Sequence, residues 1–340
     1  MEQSFGRGAK SAASPTGRKT SPTYFIKSIV LVNYQAACLK GPPARPATPF
    51  AAGDPETDLS KTIIDIRNRP AFLHDFYGAR RGAPEFETAK WLNRRTGSTD
   101  PEHFVRSQTE AGYIGEIREA GFAVAVVIGR DTPAIRNDND AIHALVSRHP
   151  ELVGVGSVDP ERLGRGAPDE AERAIRDLGL KAINLEPAFC EPARAFDDAI
   201  YWPVYEALQD LGAPVFLMSG PTTPNLALND PSAIGRVARR FPRLAIVVHH
   251  GAWPRVAEMV GVAFRYENVI LVPDMYIFQP GGQLYVEAAN GALADQIAFG
   301  SSYPFRAMRQ SADDYERLGF RDDVIDKVLS ANAARVLNLA

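Results

Sequence analysis

The chain lacks the features that mark secreted, membrane-spanning or nucleic-acid-binding proteins. Its only two cysteines, Cys38 and Cys190, lie far apart and form no motif. They therefore predict reduced thiols in a cytoplasmic protein rather than a disulfide framework. No run approaches the roughly 18 consecutive apolar residues that a membrane-spanning helix needs, so no membrane association is expected. The net charge is only −3, which gives no indication of a nucleic-acid partner.

Acidic residues are almost absent from the start of the chain, where Glu2 is the only one up to Gly53. Serine, proline, glycine and alanine dominate there, and such a segment cannot bury enough apolar surface to offset its ordering entropy. We therefore expect residues 1–60 to be a basic, largely flexible extension, apart from a β-like run at 23–34 (TYFIKSIVLVNY). A transit peptide, a subunit-contact arm and an extension without function remain three interpretations of it.

From residue 61 onward the sequence alternates between short apolar runs and amphipathic helical patterns. Continuous hydrophobicity over strand length is typical of parallel strands that are buried on both faces. Eight such β–α units in one domain-sized stretch predict an α/β fold, a (β/α)₈ TIM barrel over residues 61–340, more than an open doubly wound sheet. The runs are TIIDIRN, FAVAVVIG, LVGVGSVD, LKAINLEP, APVFLMSG, LAIVVHHG, VILVPDMY and QIAFGSSYP.

A loop of roughly thirty residues, Pro70 to Asp100, follows the first run, and loops of that length tend to be lids or binding loops. The active site of such a barrel lies at the C-terminal ends of its strands. Reading the last residues of the runs gives a set of candidate site residues: Asp65, Arg67, Arg69, Glu186, Met218, Ser219, His249, His250, Asp274, Tyr276, Ser301, Ser302 and Tyr303.

Six segments, in order, resemble the amidohydrolase superfamily in its aminocarboxymuconate-semialdehyde-decarboxylase-like branch. IIDIRNRP resembles its opening strand, GLKAINLEP its fourth and FPRLAIVVHHGAWP its sixth. YWPVYEALQDLGAPVFLMSG, AFGSSYP and SANAARVLNL resemble its fifth-strand, last-strand and closing segments. The resemblance covers residues 62 to 340 and implies a barrel enzyme, either a hydrolase or a carbon–carbon lyase.

The resemblance also implies that most of the family's metal ligands are replaced in this chain. Its first two histidines fall on Arg67 and Arg69, and its fifth-strand histidine falls on Met218. The last-strand aspartate falls on Ser302, and only the sixth-strand histidine is retained, as His249. Arginine stays protonated and offers no lone pair to a cation. We therefore expect no metal at this position and no other cofactor.

The two arginines predict a site for an anion, because residues i and i+2 of a strand share a face and two nearby guanidiniums repel each other. We expect Asp65 to neutralise one of them, and Glu186, Asp274 or a substrate carboxylate to neutralise the other. Arg67, Arg69, Glu186 and Ser302 are therefore the predicted substrate-binding residues. The alternative is that Asp65 and Glu186 close the arginines into an internal salt-bridge network.

The predicted catalytic residues are His249, as general acid or base, with Asp274 or Tyr303 assisting. His249 as a core histidine is the alternative, and His250 is expected to pack beneath a helix. These residues predict a metal-independent hydrolase or decarboxylase that acts on a small carboxylate-bearing substrate, in a homo-oligomer or with a homologous subunit.

Two further hypotheses remain open from the sequence. The first is a catalytically silent subunit that pairs with a metal-containing homologue. The second is a metal bound through unexpected ligands, namely His249, Asp274, Glu186 and His74.

Overall fold

A computed structural model describes residues 62–73, 84–98 and 102–339 of the chain. The basic extension and its β-like run lie outside the described residues, as do Cys38 and His74. The boundary between extension and barrel therefore stays a prediction. Cys190 is described, and it is a buried free thiol.

Seven parallel strands form one sheet that pairs each strand with the next barrel strand along the chain. A two-stranded antiparallel hairpin, absent from the sequence prediction, follows the second strand. The barrel strands are β1 (Ile64–Asn68), β2 (Val124–Ile128), β5 (Leu152–Ser157), β6 (Ile183–Leu185), β7 (Val215–Met218), β8 (Ile246–His249) and β9 (Val269–Val272), and the hairpin strands are β3 (Asp131–Thr132) and β4 (Ile135–Arg136).

The eighth predicted run closes the barrel without forming a regular strand. Single parallel bridges join Ile297 to Leu271 and Tyr303 to Asn68, so this closing segment (296–304) contacts both the last strand and the first. Its extended path is interrupted at Ser302, whose φ of 61° lies in the left-handed region. The barrel expected from the sequence is confirmed, with an irregular segment in place of its eighth strand.

The helices follow the strands as the sequence pattern predicts, and several begin at an aspartate that caps the helix beside a proline. Asp159 and Asp230 accept hydrogen bonds from the backbone N–H groups of Glu161 and Ser232. The helices before β9 are α1 (Pro84–Arg95), α2 (Glu102–Arg106), α3 (Glu110–Ala120), α4 (Asn139–Val146), α5 (Pro160–Leu163), α6 (Ala167–Arg176), α7 (Trp202–Leu211), α8 (Pro231–Arg240) and α9 (Val256–Arg265). Those after it are α10 (Gln283–Ala289), α11 (Met308–Glu316), α12 (Asp322–Asp326) and α13 (Asn332–Leu337), the last two joined by a π-helical turn at Lys327–Ala331.

Helix α1 lies within the segment that the sequence analysis interprets as one long loop. The helix carries two arginines, Arg94 and Arg95, in its last turn, where they complement the helix dipole. Its inner residues Ala89 and Leu92 pack with Phe104, Met275 and Phe305 in a small separate cluster. Helix α1 is therefore an ordered part of the barrel mouth.

Alternation along each strand divides the apolar core into two layers. In β7, Val215 and Leu217 pack outward against the helices, whereas Phe216 points into the barrel. The barrel interior is closed at its lower end by Val336 and Leu337 of α13. Within the part of the chain that the structure describes, no helix combines the length and the apolar character needed to cross a membrane.

Candidate active site

A cavity of about 30 Å³, the arginine cavity, opens at the C-terminal ends of the barrel strands. It brings together four of the polar candidate site residues, Arg67, Arg69, Glu186 and His250, and adds Arg130. Apolar side chains and one threonine complete its wall: Leu92, Phe189, Met218, Thr222, Met275 and Phe305. Three guanidiniums around so small a space make a strongly positive site.

Glu186 is the carboxylate that two of these guanidiniums share. One of its oxygens pairs with Arg69 and accepts a hydrogen bond from Asn184 at 3.0 Å, and the other lies 2.9 Å from Nε of Arg130. Burial raises the pKa of Glu186, but the guanidiniums of Arg130, Arg69 and Arg67 outweigh it and lower that pKa to about 2. Glu186 therefore serves as an internal counter-ion, whereas the sequence analysis assigns it to substrate binding.

Arg130 directly follows the second apolar run, and the sequence analysis did not single it out. Its guanidinium lies over the ring of Phe189, 4.8 Å from the ring centroid, in a cation–π contact that fixes its plane. The hairpin of β3 and β4 begins at the next residue, Asp131. Its position at the end of an apolar run is the sequence feature that could have identified Arg130 as a site residue.

Arg67 differs from the other two arginines because no described carboxylate lies within ion-pair distance of it. Its Nη2 donates to the thioether sulfur of Met218 at 3.6 Å, and its buried Nε has no hydrogen-bond partner. Burial lowers the pKa of Arg67, which Asp274 and Glu186 raise at longer range. A Cβ at Gly300 would lie 2.7 Å from Cβ of Arg67, so glycine at that position leaves room for the arginine.

The expectation that Asp65 neutralises one of these arginines is wrong. Its carboxylate accepts hydrogen bonds from the backbone N–H groups of Arg67 at 3.1 Å and Ser301 at 2.9 Å. The pairing of β1 with β2 shifts register between Asp65 and Asn68, so simple alternation does not hold across this stretch. Asp65 therefore anchors the closing segment to β1, and burial raises its pKa to about 6.

His250 lines the cavity and is held there by Asp274. The Nδ1 atom of His250 lies 2.9 Å and 2.7 Å from the two oxygens of Asp274, and the backbone N–H of His250 donates to the same carboxylate at 3.1 Å. Burial lowers the pKa of His250 more than Asp274 raises it, and Arg67 and Arg69 lower it further. This imidazole is therefore neutral at pH 7, with Nε2 left for a ligand in the cavity.

Of the two neighbouring histidines, His250 lines the cavity and His249 does not. His250 does not pack beneath a helix, since it lies in the cavity with a φ of 62°. His249 lies instead in the barrel interior, 4.9 Å from the ring centroid of Phe216, and its two ring nitrogens have no hydrogen-bond partner. This position agrees with the alternative that His249 is a core histidine, and the geometry does not favour His249 as a proton carrier.

Tyr303 and Ser302, which the sequence analysis places in the site, do not line the cavity. The hydroxyl of Tyr303 donates to Glu116 at 3.0 Å and to the carbonyl of His103 at 3.1 Å, on the outer side of the closing segment. Its ring packs against Tyr113, 5.6 Å between centroids, in the outer core layer. The hydroxyl of Ser302 is buried without a hydrogen-bond partner. Both residues belong to the support of the closing segment.

The residues that line the arginine cavity do not fit a divalent cation. Arg67 and Arg69 repel it, and the thioether of Met218 is a poor ligand for hard cations. The two nearby carboxylates are committed, Glu186 to guanidiniums and Asp274 to His250. Among the described residues, no three histidines, cysteines, aspartates or glutamates stand close enough to hold a metal. His74, named with the hypothesis of unexpected ligands, is outside this part.

Comparison with known proteins agrees with this architecture. A family model described as "Amidohydrolase" matches residues 109–339. A crystal structure of the uncharacterised TIM-barrel protein Bb4693 from Bordetella bronchiseptica is 30% identical, covers 82% of this chain and 98% of its own, and superposes with a TM-score of 0.72. No curated protein matches the sequence.

Two decarboxylases share the fold at lower identity. 5-Carboxyvanillate decarboxylase LigW from Sphingomonas paucimobilis is 16% identical, covers 82% of this chain and 99% of its own, and has a TM-score of 0.58. Dihydroxybenzoic acid decarboxylase from Polaromonas sp. JS666, whose structure holds manganese, is 18% identical and also has a TM-score of 0.58. The match covers 82% of this chain and 97% of the decarboxylase chain.

Proposed function

Since this chain belongs to the amidohydrolase family, we propose that it is a metal-independent hydrolase acting on a small carboxylate-bearing ester, amide or lactone. The family and the enzyme class expected from the sequence, an amidohydrolase-related hydrolase or carbon–carbon lyase, are confirmed. The absence of metal, the substrate class and the choice of hydrolysis are the parts proposed here. Oligomeric assembly and a cytoplasmic location stay predictions.

The observation that carries this proposal is the difference between Arg67 and the other two arginines. Arg69 and Arg130 both have Glu186 as a counter-ion, whereas the buried guanidinium of Arg67 has a thioether contact and, among the described residues, no carboxylate at ion-pair distance. A buried charge without a partner is costly, and a bound anion removes that cost. A carboxylate in the cavity accepts hydrogen bonds from Arg67 in the geometry that guanidinium recognises best.

The His250–Asp274 pair supplies the proton transfers that hydrolysis needs. Because Asp274 accepts the Nδ1 proton of His250, the Nε2 lone pair is free to take a proton from water. The resulting hydroxide adds to the substrate carbonyl, and the imidazolium is stabilised by Asp274. His250 then returns the proton to the leaving alkoxide or amine as the C–O or C–N bond breaks, and a carboxylic acid is formed.

The positive cavity favours hydrolysis over decarboxylation. Hydrolysis builds negative charge on the attacked carbonyl oxygen, and guanidiniums fixed beside it stabilise that charge in the transition state. Decarboxylation converts a carboxylate into neutral CO₂, so the same guanidiniums stabilise the starting carboxylate more than the transition state. The presence of the His250–Asp274 pair at the cavity also argues against a catalytically silent subunit.

The first test is ligand binding by the purified full-length protein, with acetate and succinate as probes. We expect both to raise the melting temperature of the wild type and to lose that effect in Arg67→Met. At a hundred times the Kd, one bound ligand adds about 2.7 kcal/mol to the free energy of unfolding. Arg243→Met is the control, because Arg243 pairs with Asp210 on the exposed surface. Equal responses in Arg67→Met and the wild type would contradict the proposal.

The second test addresses metal and activity together. We expect far less than one equivalent of zinc, manganese or iron in protein purified without chelator. A panel of carboxylate-bearing esters and lactones is then screened with the wild type and with His250→Gln. Turnover that survives chelator and is lost in His250→Gln supports the proposal. One tightly held metal equivalent whose removal abolishes turnover overturns metal independence.

A further inference from the structure

A second cavity, of about 230 Å³, adjoins the arginine cavity. We call it the aromatic cavity, and it is lined chiefly by Trp91, Pro221, Trp253 and Tyr276. Leu92 and Thr222 line both cavities, so the two spaces adjoin each other. None of the candidate catalytic groups lies in the aromatic cavity.

The size of the arginine cavity limits what it holds. A single water needs roughly 10–15 Å³ of such space, so about 30 Å³ holds two or three water-sized groups, such as a carboxylate beside a reacting water. The remaining part of any substrate must therefore occupy adjoining space. The aromatic cavity is the larger space that shares walls with the site.

One side of the aromatic cavity is flat and fixed, whereas Arg95, Thr96 and Gln279 add polar groups to its lining. The rings of Trp253 and Tyr276 are stacked within 8° of parallel, with 5.4 Å between centroids. The indole N–H of Trp253 donates to the carbonyl of Pro280 at 2.9 Å, which holds the ring in place. Tyr276 meets the imidazole of His250 edge-on, at 90° and 5.1 Å between centroids. The aromatic wall thus extends to the proposed base.

We propose that the aromatic cavity holds a planar, uncharged ring of the substrate, and that Trp253 selects for it. The carboxylate then points at Arg67 and the bond to be hydrolysed lies beside His250. Flat rings pack on indole faces with an energy beyond their simple burial, whereas saturated rings of similar size do not. This inference rests on the proposed function, since it orients the substrate of the same site.

The test compares the dissociation constants of acetate, cyclohexanecarboxylate and benzoate, measured by calorimetry on the full-length protein. We expect benzoate to bind about tenfold more tightly than acetate, with cyclohexanecarboxylate between them. Trp253→Leu is expected to bring benzoate to within about twofold of acetate and to leave acetate unchanged. Phe264→Ala is the control, because Phe264 is 71% exposed and lines neither cavity.

Trp91→Ala gives an independent variant if Trp253→Leu does not fold. Trp91 lines the same cavity but is 47% exposed, so its removal costs little stability, and we expect it to weaken benzoate selectively. The aromatic subsite is overturned if the three acids bind with equal affinity, or if neither tryptophan variant changes the affinity of any of them. The proposed function stands in that case as long as acetate binding still requires Arg67. Failure of all three acids to bind overturns the proposed function as well.

Discussion

Asp274 holds His250 at two points, accepting hydrogen bonds from the Nδ1 atom of its ring and from its backbone N–H. Both residues have positive φ angles, 46° for Asp274 and 62° for His250. Each lies just after a strand, in a backbone conformation that residues other than glycine rarely adopt. Two such residues, joined by hydrogen bonds at the mouth of the barrel, fix the imidazole in one orientation. In that orientation Nδ1 is occupied by Asp274, and Nε2 is the ring nitrogen that the proposed function uses.

The pH dependence of turnover follows from the neutral state of His250. Its pKa lies below the ordinary value of 6.5, so protonation removes the base only in more acidic solution. We expect kcat/KM to be level near pH 7 and to fall tenfold per pH unit below that pKa. Asp274→Asn is expected to move this acidic limb to still lower pH, since Asp274 raises the pKa of His250, and to reduce kcat by about 10²–10⁴. An unchanged pH profile in Asp274→Asn would contradict the assignment.

Arg69→Met is expected to destabilise the fold, in contrast to Arg67→Met. Removing Arg69 breaks its buried pair with Glu186, and we expect a loss of about 3 kcal/mol, at the low end for buried pairs because Arg130 remains. Arg67→Met leaves no carboxylate stranded, so its stability should stay level or rise. Urea denaturation of both variants, with Arg243→Met as the surface control, measures the difference. Equal losses for Arg67 and Arg69 would show that both arginines are structural.

Asp65→Asn is expected to flatten the pH dependence of stability in mildly acidic solution. The pKa of Asp65 is raised to about 6 in the folded protein, so the folded state binds its proton more tightly than the unfolded state. The associated stability is fully present below the ordinary pKa of 3.8 and is lost as pH rises through about 6. This difference corresponds to about 3 kcal/mol. Urea midpoints at pH 4 and pH 7 should converge in the variant, and a persistent difference would assign the effect to another group.

The variant Tyr303→Phe tests whether Tyr303 supports the closing segment or takes part in catalysis. The variant removes a hydroxyl that donates to Glu116, and we expect it to lower the free energy of unfolding by about 1–2 kcal/mol. Its kcat should remain within about twofold of the wild type, because the hydroxyl lies outside the cavity. Comparison with His250→Gln under the same assay is the measurement. A loss of kcat as large as that of His250→Gln would restore Tyr303 to the catalytic machinery.

The sequence predicted the barrel because continuous apolar runs and capped helices are local patterns, and eight of them in order leave few alternatives. It also located Arg67, Arg69 and Glu186, since the ends of parallel strands meet at one face. It did not resolve His249 from His250, because the backbone turns through a left-handed conformation immediately after the strand. No alternation rule anticipates that turn. Alternation does not predict the contacts of Asp65 either, because the register of β1 shifts between Asp65 and Asn68.

The thioether contact of Arg67 has a practical consequence for measurements on this protein. Because Arg67 has no described carboxylate partner, we expect its guanidinium to bind the small anions that the solution supplies, chloride and buffer carboxylates included. Substrate must displace that anion, so an apparent KM depends on the salt chosen for the assay. We expect acetate buffer to compete at this site, and an amine buffer with a bulky counter-anion to reveal its intrinsic affinity.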